Sequence, residues 1–458
     1  LRSYSTMHSL FSPLFPLCLT ILLSSSDGFL PTPASLALKP HGPPQVWPSS
    51  STSQSKLVVD TALHVTPFEF PGDVDVLSSS LGLAFSDQGQ NLAGIFFQAS
   101  LLPYILFLYF LNYKNNRVPS LGSFGFSYLL LFVLATIPSG IVSKLSYGET
   151  LANVDWLHGG AEALLTTTSL LVVAGFRSAS VTGGPVKEAV ENNENLIKGA
   201  AIGVAGLFAA FCALGPGAGV EAHSPFLLGL GDVPGPLLPP SLSPEPDNAL
   251  SIPTWAIHFS SVFEWLFAMS VIWRYSSVTG NDRWKGMTWG MLPLHASGVC
   301  ACTYHFFYND KTLQFLVSSQ AGLTLLGNIT CMIAAYRIAS SNGWTAAELN
   351  PFRKGDEEEG SLDSVVVADD APVGGAAALT LYEAEESDTL LVGKLLGATL
   401  ALSYAVKYGS LTNPLAFSAN GLVGTGLVLG VPAAVALGYY GRSEDLQEAT
   451  GLKWGGGE

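Results

Sequence analysis

Residues 252–273 read IPTWAIHFSSVFEWLFAMSVIW, and this apolar run decides what kind of protein the chain forms. With a rise of about 1.5 Å per residue, an α-helix over these 22 residues is about 33 Å long. That length matches the hydrocarbon core of a bilayer, which is about 30 Å thick. The run contains only two ionisable residues, His258 and Glu264, and Arg274 follows directly at its end. The stretch therefore predicts a transmembrane helix.

Runs of the same kind recur along the whole chain of 458 residues. Hydrophobic residues make up 48% of the chain and charged residues only 12%, about half the charged fraction of soluble domains. The runs that are long enough to span a bilayer lie at 92–111, 124–143, 156–176, 197–214, 252–273, 286–307, 312–336, 390–407 and 421–440. The sequence therefore predicts an all-α fold, a polytopic helical membrane protein with about nine transmembrane helices.

The placement of basic residues tests this helix count, because a wrong count would scramble their alternation between the two sides of the membrane. With nine helices, fourteen of the Lys and Arg residues after residue 90 fall on one side, called side A, and three on the other, side B. Those on side B are Lys144, Lys311 and Lys407. The bias supports the count and places the C-terminus on side A, the side from which the protein inserts.

The N-terminal region has the features of a targeting sequence. Residues 1–28 are predicted to be a signal peptide, because the apolar run at 10–23 is too short to span a bilayer and small residues follow it. Residues 29–90 begin with Phe29, continue with many Ser, Pro and Thr, and are predicted to be a transit peptide and disordered leader. This arrangement resembles the bipartite presequences of algae with red-lineage plastids. It implies a plastid membrane, the thylakoid, with a stromal C-terminus, and ordinary secretion is the alternative.

Composition divides the remainder of the chain into segments. Residues 341–389 hold twelve acidic and two basic residues and supply −10 of the net charge of −15, so they are predicted to be an acidic disordered linker. The other segments are a first three-helix membrane unit at 91–178, a linker with one possible helix at 179–249, a second three-helix unit at 250–340, and a C-terminal helix pair with a tail at 390–458.

Several short stretches resemble known families. Residues 251–258 (SIPTWAIH), 284–293 (WKGMTWGMLP) and 300–307 (CACTYHFF) resemble the Ycf49-like family of cyanobacteria and plastids. Residues 153–163 (NVDWLHGGAEA) resemble a companion three-helix membrane family of the same organisms. The resemblances cover 250–339 and 92–176, under half of the chain. They imply a photosynthetic membrane and no defined reaction.

Burying an ionisable residue inside a membrane span costs free energy, so each such residue is a candidate for a functional role. The spans contain His158, Glu162, His258, Glu264, His295 and His305. Four of these, His158, Glu162, His258 and His305, fall near the side B ends of their helices and can meet in one layer. His158 and Glu162 are four residues apart and therefore share a helix face.

This layer is the predicted cofactor-binding site. Imidazole and carboxylate groups can ligate a transition metal, haem iron or the magnesium of chlorophyll, and they can also relay protons. A purely structural alternative pairs His158 with Glu162 and leaves His305 hydrated at the membrane surface. The spacing does not choose among chlorophyll, haem and a metal ion.

A possible second layer lies deeper in the predicted membrane. It would contain Glu264 and His295, together with Gln320 and Asn328 of the seventh helix, which can hydrogen-bond across the bundle. The five cysteines all lie in apolar runs, which excludes a disulfide scaffold and a zinc finger. Cys300 and Cys302 are predicted to be packing residues, with a half-site of Cys302 and His305 as the alternative.

The leading functional hypothesis is a non-enzymatic membrane protein that supports the assembly or organisation of photosynthetic complexes. Its predicted partners are the lipid bilayer and subunits of those complexes, and the acidic net charge excludes nucleic acid. No nucleotide-binding loop, nucleophile elbow or H-E-x-x-H motif appears, so nothing in the motifs favours an enzyme. The first alternative is a transporter or proton-coupled carrier that uses Glu162 and Glu264 with Gln320 and Asn328. The second is an intramembrane metalloenzyme that uses His158, Glu162, His258 and His305.

Overall fold

A computed structural model of the protein describes residues 74–182, 188–222, 246, 248–349, 388–412 and 418–450. The chain forms two compact units, Leu1–Ser78 and Ser79–Glu458. Only the start of one helix is described for the first unit, so the account below concerns the second. The predicted signal peptide, the transit peptide up to residue 73, and residues 350–387 of the acidic linker lie outside the described residues.

Within these ranges the chain forms nine α-helices joined by short helical turns and loops, and no strand. The helices are α1 (Val74–Leu111), α2 (Ser120–Val142), α3 (Asp155–Thr182), α4 (Glu188–Leu214), α5 (Ile252–Thr279), α6 (Arg283–Phe306), α7 (Phe315–Ser341), α8 (Asp388–Thr412) and α9 (Gly421–Thr450). Each helix holds most of one predicted apolar run, in the predicted order. The all-α fold class is therefore confirmed.

Seven of the nine described helices are long and apolar enough to cross a membrane, some together with an adjoining turn. The two that fall short of this standard are α6 and α8. Helix α6 carries Thr, His, Ser and Cys residues along its length and packs against α5, α7 and α9. Its polar side chains are therefore accommodated by neighbouring helices, and the protein is a helical membrane protein in which apolar composition alone marks fewer spans than the predicted nine.

Helix α1 begins at Val74, well before the predicted start of the first span at residue 92. The membrane-spanning part of this helix begins at Leu92, as predicted, and the boundary of the leader at residue 90 stays a prediction. Residues 74–90 contain no Pro and run into the apolar segment without a helix-stop signal, so the helix continues through them.

One hydrophobic core joins the two predicted three-helix units. Phe107 of α1 and Phe126 of α2 belong to the same buried cluster as Trp265 of α5 and Trp284 of α6. The ring of Phe126 lies 5.2 Å from that of Phe107 and 6.5 Å from that of Trp265, measured between centroids. The segment at 179–249 therefore separates two stretches of sequence but not two packing units.

Helix α3 is held against α2 by a close crossing of two glycines. A Cβ on Gly175 would lie 2.2 Å from the backbone nitrogen of Gly122 and 2.7 Å from its Cα. Small residues allow membrane helices to approach this closely, and the gain is van der Waals contact along both backbones. On its other side α3 packs against α5, so the helix that carries His158 and Glu162 lies between the two units.

Candidate metal centre

Helix α3 begins at Asp155, directly after a 3-10 turn at Leu151–Asn153. An acidic residue suits this position because the helix N-terminus is partially positive. The carboxylate of Asp155 accepts a hydrogen bond from the backbone N–H of Ser251 (2.9 Å), the residue that precedes α5. This bond ties the starts of α3 and α5 together, one turn before His158.

Helix α5 has Ser251 as its N-cap and Pro253 in its first turn. Proline is well tolerated there because the first N–H groups of a helix have no partner inside it. Ser251 thus has two functions: its hydroxyl caps α5, and its N–H joins α5 to Asp155 of α3. His258 lies in the second turn of α5, beside the first turns of α3.

Helix α6 carries His305 in its last turn. The chain then reverses through Tyr308 and Asn309, which have positive φ angles of 50° and 57°. The amide of Asn309 donates to Oδ1 of Asn153 (2.8 Å), in the turn before α3. The end of α6 is therefore bonded to the start of α3.

These helix ends bring together His158, His258 and His305, called the histidine cluster below. The ring centroids of His158 lie 4.8 Å from His258 and 4.7 Å from His305, and those of His258 and His305 are 4.9 Å apart. One nitrogen from each ring lies within 4.8 Å of one nitrogen of the other two. The three side chains are buried, with 2–6% of each residue exposed. In the part of the chain that the structure describes, this is the one group of three or more potential ligands with such spacing.

One nitrogen of each ring in the cluster lacks, among the described residues, the hydrogen bond that a buried imidazole nitrogen normally makes. Nδ1 of His158, Nε2 of His258 and Nδ1 of His305 are buried, and no group in the described ranges bonds to them. A buried polar atom without a partner costs about 1–3 kcal/mol. A cation that accepts the lone pairs of all three nitrogens would remove this cost.

Glu162 lies beside the cluster, with Oε1 4.0 Å from Nε2 of His158. A carboxylate next to one nitrogen of a histidine orients the ring and increases the basicity of the other nitrogen, as in carboxylate–histidine–zinc sites. Here the other nitrogen is the buried Nδ1 that has no hydrogen bond in the described structure. At 4.0 Å the two atoms are not hydrogen-bonded, and a shift of about 1 Å would let Glu162 hold His158 in the tautomer that ligates through Nδ1.

The geometry suits a single ion better than a tetrapyrrole. Tetrahedral zinc with nitrogen ligands at about 2.0–2.1 Å needs neighbouring nitrogens about 3.3 Å apart. The observed limit is 4.8 Å, so the rings would have to rotate to bring the nitrogens to this spacing. Haem or chlorophyll cannot enter between rings whose centroids are only 4.7–4.9 Å apart. Three imidazoles also leave a four-coordinate ion one open position.

Two residues of the predicted second layer make hydrogen bonds through the bundle. The amide of Asn328 donates to the carbonyl of Ser100 on α1 (3.0 Å), a bond across the bundle of the predicted kind. Gln320 contributes its backbone carbonyl, which accepts from the hydroxyl of Ser297 on α6 (3.1 Å). Both residues act in helix packing in this structure and are not members of the histidine cluster.

The other two residues of the predicted second layer are buried and incompletely hydrogen-bonded. Oε1 of Glu264 accepts from the hydroxyl of Ser260 (2.5 Å), whereas Oε2 is buried without a partner among the described residues. His295 is 2% exposed, and neither of its nitrogens is hydrogen-bonded in these ranges. Glu264 and His295 are likewise outside the cluster.

The cysteines contribute to packing. Cys300 is buried in an apolar cluster with Phe307 and Leu313, as expected for a packing residue. Cys302 is half-buried and does not belong to the group of three ligands, although it is close to His305 in sequence.

Sequence reasoning missed the residues that position the cluster. These are Asp155, Ser251 and Asn309, which join the ends of α3, α5 and α6. Asp155 and Ser251 do carry a local signal, because acidic residues and serine are favoured where helices begin. That signal predicts a helix start, but it does not reveal that the two starts are bonded to each other.

Two family models match separate parts of the chain. Residues 249–337 match a family described as a protein of unknown function, DUF2499, and residues 93–181 match another so described, DUF3593. His258 and His305 lie in the first region and His158 in the second. The histidine cluster is therefore built from both families.

Curated relatives match the chain over a short region. A Ycf49-like protein of Synechocystis is 50% identical over 91 residues, which are 20% of this chain and 88% of that protein. A protein of Cyanophora paradoxa named uncharacterized protein ycf49 is 40% identical over 83 residues, 18% of this chain and 81% of that protein. No solved structure matches the chain.

Proposed function

The chain belongs to the Ycf49-like family, and we propose that it is a plastid membrane protein that holds one transition-metal ion in the histidine cluster. The observation that carries the proposal is the contact of three buried imidazoles, each of which has one buried nitrogen without a hydrogen-bond partner in the described structure. Neutral imidazole suits zinc, copper, iron and nickel. Glu162 acts as the positioning residue for His158.

The ion joins the two family regions of the chain. His158 comes from α3, whereas His258 and His305 come from α5 and α6. A bound ion would therefore cross-link both regions at one end of the bundle, in addition to the bond between Asp155 and Ser251. We infer that metal binding stabilises this junction and keeps one coordination position available.

The cellular role that we propose is support of the assembly or organisation of photosynthetic complexes in the thylakoid, with the C-terminus in the stroma. Relatives in a cyanobacterium and in Cyanophora, together with the helical membrane body, support a plastid or cyanobacterial membrane. The presequence features support the plastid, and the excess of basic residues on side A supports the orientation.

Metal analysis of the purified full-length chain tests the metal site. We expect about one equivalent of a transition metal per chain and no visible band of haem or chlorophyll. His295→Leu is the matched control, since it removes a buried histidine outside the cluster and should retain the metal. Less than about one-fifth of an equivalent of metal in folded protein would refute the site. A stoichiometric tetrapyrrole band would show that the protein binds a pigment or haem and not a single ion.

Native gel electrophoresis of solubilised thylakoids tests the cellular role. We expect the protein to migrate with an assembly intermediate of a photosynthetic complex and such intermediates to accumulate when it is depleted. Migration as a free protein, with normal complex levels after depletion, would contradict this role and leave the metal assay unaffected.

A proton-coupled carrier is the second candidate. The observation that favours it is the pair of buried, incompletely hydrogen-bonded groups in the body of the bundle, Glu264 and His295. Proton-driven uptake into proteoliposomes that is lost in Glu264→Gln and retained in Glu162→Gln would support this candidate. Equal uptake by protein-free liposomes would exclude it.

A further inference from the structure

The turn that follows α6 places one side chain against the ring of His305. Asn309 has a φ of 57°, so the chain folds back and brings the side chain of Asn309 to the imidazole four residues before it. Oδ1 of Asn309 is buried and makes no hydrogen bond of ordinary geometry in the described ranges. A hydrogen-bond acceptor therefore lies beside one ring of the histidine cluster.

The amide of Asn309 can be oriented in only one way. Its nitrogen donates to the carbonyl of Ala152 (3.2 Å) and to Oδ1 of Asn153 (2.8 Å). The nitrogen of Asn153 in turn donates to Oε2 of Glu149 (3.1 Å). A carbonyl and an ionised carboxylate only accept hydrogen bonds, so rotating either amide by a half-turn would set acceptor against acceptor. The atom of Asn309 that remains for His305 is therefore its oxygen.

An acceptor in this place determines which nitrogen of His305 carries the proton. A neutral imidazole has one N–H and one lone pair. A small shift of the ring would direct the N–H at Oδ1 of Asn309, and the lone pair is then on the other nitrogen, where an ion can use it. Metal sites commonly have such a bond behind a ligating histidine, and its loss weakens metal binding by about 10–100-fold.

We propose that Asn309 is a positioning residue of the metal site, which fixes the tautomer of His305. Its role there parallels that of Glu162 beside His158. The proposal rests on the proposed function, in which His305 is a ligand of the ion. Because an amide is neutral and a carboxylate is charged, Asn309 should contribute less to the affinity than Glu162. The alternative is that Asn309 only ties the end of α6 to the start of α3.

Two substitutions at this position separate the two roles. Asn309→Gly removes the acceptor and the bonds to Ala152 and Asn153, and glycine tolerates the positive φ. Asn309→Asp also removes the two donor bonds but keeps an acceptor beside His305. In chelator competition with the full-length chain, we expect Asn309→Gly to bind zinc about tenfold more weakly than the wild type and Asn309→Asp to bind it within about threefold. Equal affinities of the two variants, whether lowered or unchanged, would overturn the proposal.

Asn248→Ala is the matched control. It removes an amide that donates to the carbonyl of Tyr308 in the same turn but is not bonded to His305. Zinc binding should be unchanged in this variant. A tenfold loss would assign the effect of Asn309→Gly to the turn as a whole and would count against a specific role of the Asn309 side chain.

Nitrogen-15 NMR of the histidine-labelled, metal-free protein separates a failure of this inference from a failure of the proposed function. We expect His305, assigned by comparison with His305→Gln, to be a single tautomer in the wild type and in Asn309→Asp, and a mixture in Asn309→Gly. The same tautomer population in all three proteins would overturn the proposal even if the chain binds zinc. If the wild type binds no zinc, the proposed function fails, and the tautomer populations still decide whether Asn309 orients His305.

Discussion

The two ends of the helix bundle differ in the hydrogen bonding of their polar side chains. At the end where α1, α5 and α7 finish, Asn116, Asn281 and Asn342 form the asparagine network. The amide of Asn342 donates to Oδ1 of Asn116 (2.9 Å), and that of Asn281 donates to Oδ1 of Asn342 (3.3 Å). Asn116 in turn donates to the carbonyls at the end of α1. At the opposite end, the histidine cluster has buried nitrogens that meet no partner in the described ranges.

Asn116 and His258 are buried to a similar degree, at 1% and 2% exposed, whereas Asn281 and Asn342 of the network are half-buried. The two regions differ in whether their polar atoms have hydrogen-bond partners. Matched donors and acceptors stabilise the loops of the asparagine network, whereas each imidazole of the cluster has one buried nitrogen without a partner in the described ranges, which costs free energy. The comparison supports the proposal that one end stabilises the fold and the other binds a ligand.

The largest effect that we expect comes from removing one ligand. His258→Ala should bind metal at least about 100-fold more weakly than the wild type, because two imidazoles cannot hold the ion at ordinary concentrations. Metal content by mass spectrometry and chelator competition measure this loss. Full retention of the metal by His258→Ala would contradict the proposal that the histidine end of the bundle binds the ion.

Removal of the neighbouring carboxylate should have the next largest effect. Glu162→Gln should weaken metal binding by about 10–100-fold, since the amide no longer supports the Nδ1-ligating tautomer of His158. Competition with a chelator gives the ratio of affinities. Glu264→Gln is the matched control, and an equal loss in both variants would assign the effect to altered packing.

The asparagine network should affect stability and leave metal binding unchanged. Asn342→Ala removes the donor to Asn116 and the acceptor of Asn281, so we expect the free energy of unfolding to fall by about 1–3 kcal/mol. Thermal unfolding in detergent measures the change. Asn115→Ala, which removes one exposed hydrogen bond, should change stability by less than about 0.5 kcal/mol. Loss of metal from Asn342→Ala would show that the two ends are coupled.

The smallest effect should come from a buried histidine outside both regions. His295→Leu replaces an imidazole that has no hydrogen bond in the described structure by an apolar side chain, so stability should be unchanged or slightly higher. The same thermal unfolding assay measures this change in stability. A loss above about 2 kcal/mol would reveal a required partner of His295 and would favour the carrier hypothesis.

The sequence predicted the helices better than the residues that position the site. Nine apolar runs became nine helices in the described ranges, because helix formation in a membrane follows from length and hydropathy. The first membrane span was placed correctly at Leu92–Leu111, although α1 itself begins at Val74, because residues 74–90 are not apolar enough to mark a span yet carry no helix stop. Among the site residues, the histidines were found because ionisable groups are conspicuous in apolar runs, whereas Asp155, Ser251 and Asn309 were not, because ordinary capping and turn residues are not conspicuous.

The sequence by itself determined the membrane class, the helix order and the end of the bundle at which His158, His258 and His305 lie. These properties depend on local composition and on helix direction along the chain. Only the tertiary structure decided that these three rings come within ligand distance of one another while Glu162, of the same predicted layer, is outside the group of three. That outcome depends on how each helix is rotated about its axis and how closely it crosses its neighbours, as Gly122 and Gly175 allow for α2 and α3. Hydropathy encodes neither property, because it measures transfer to lipid and not contact between helices.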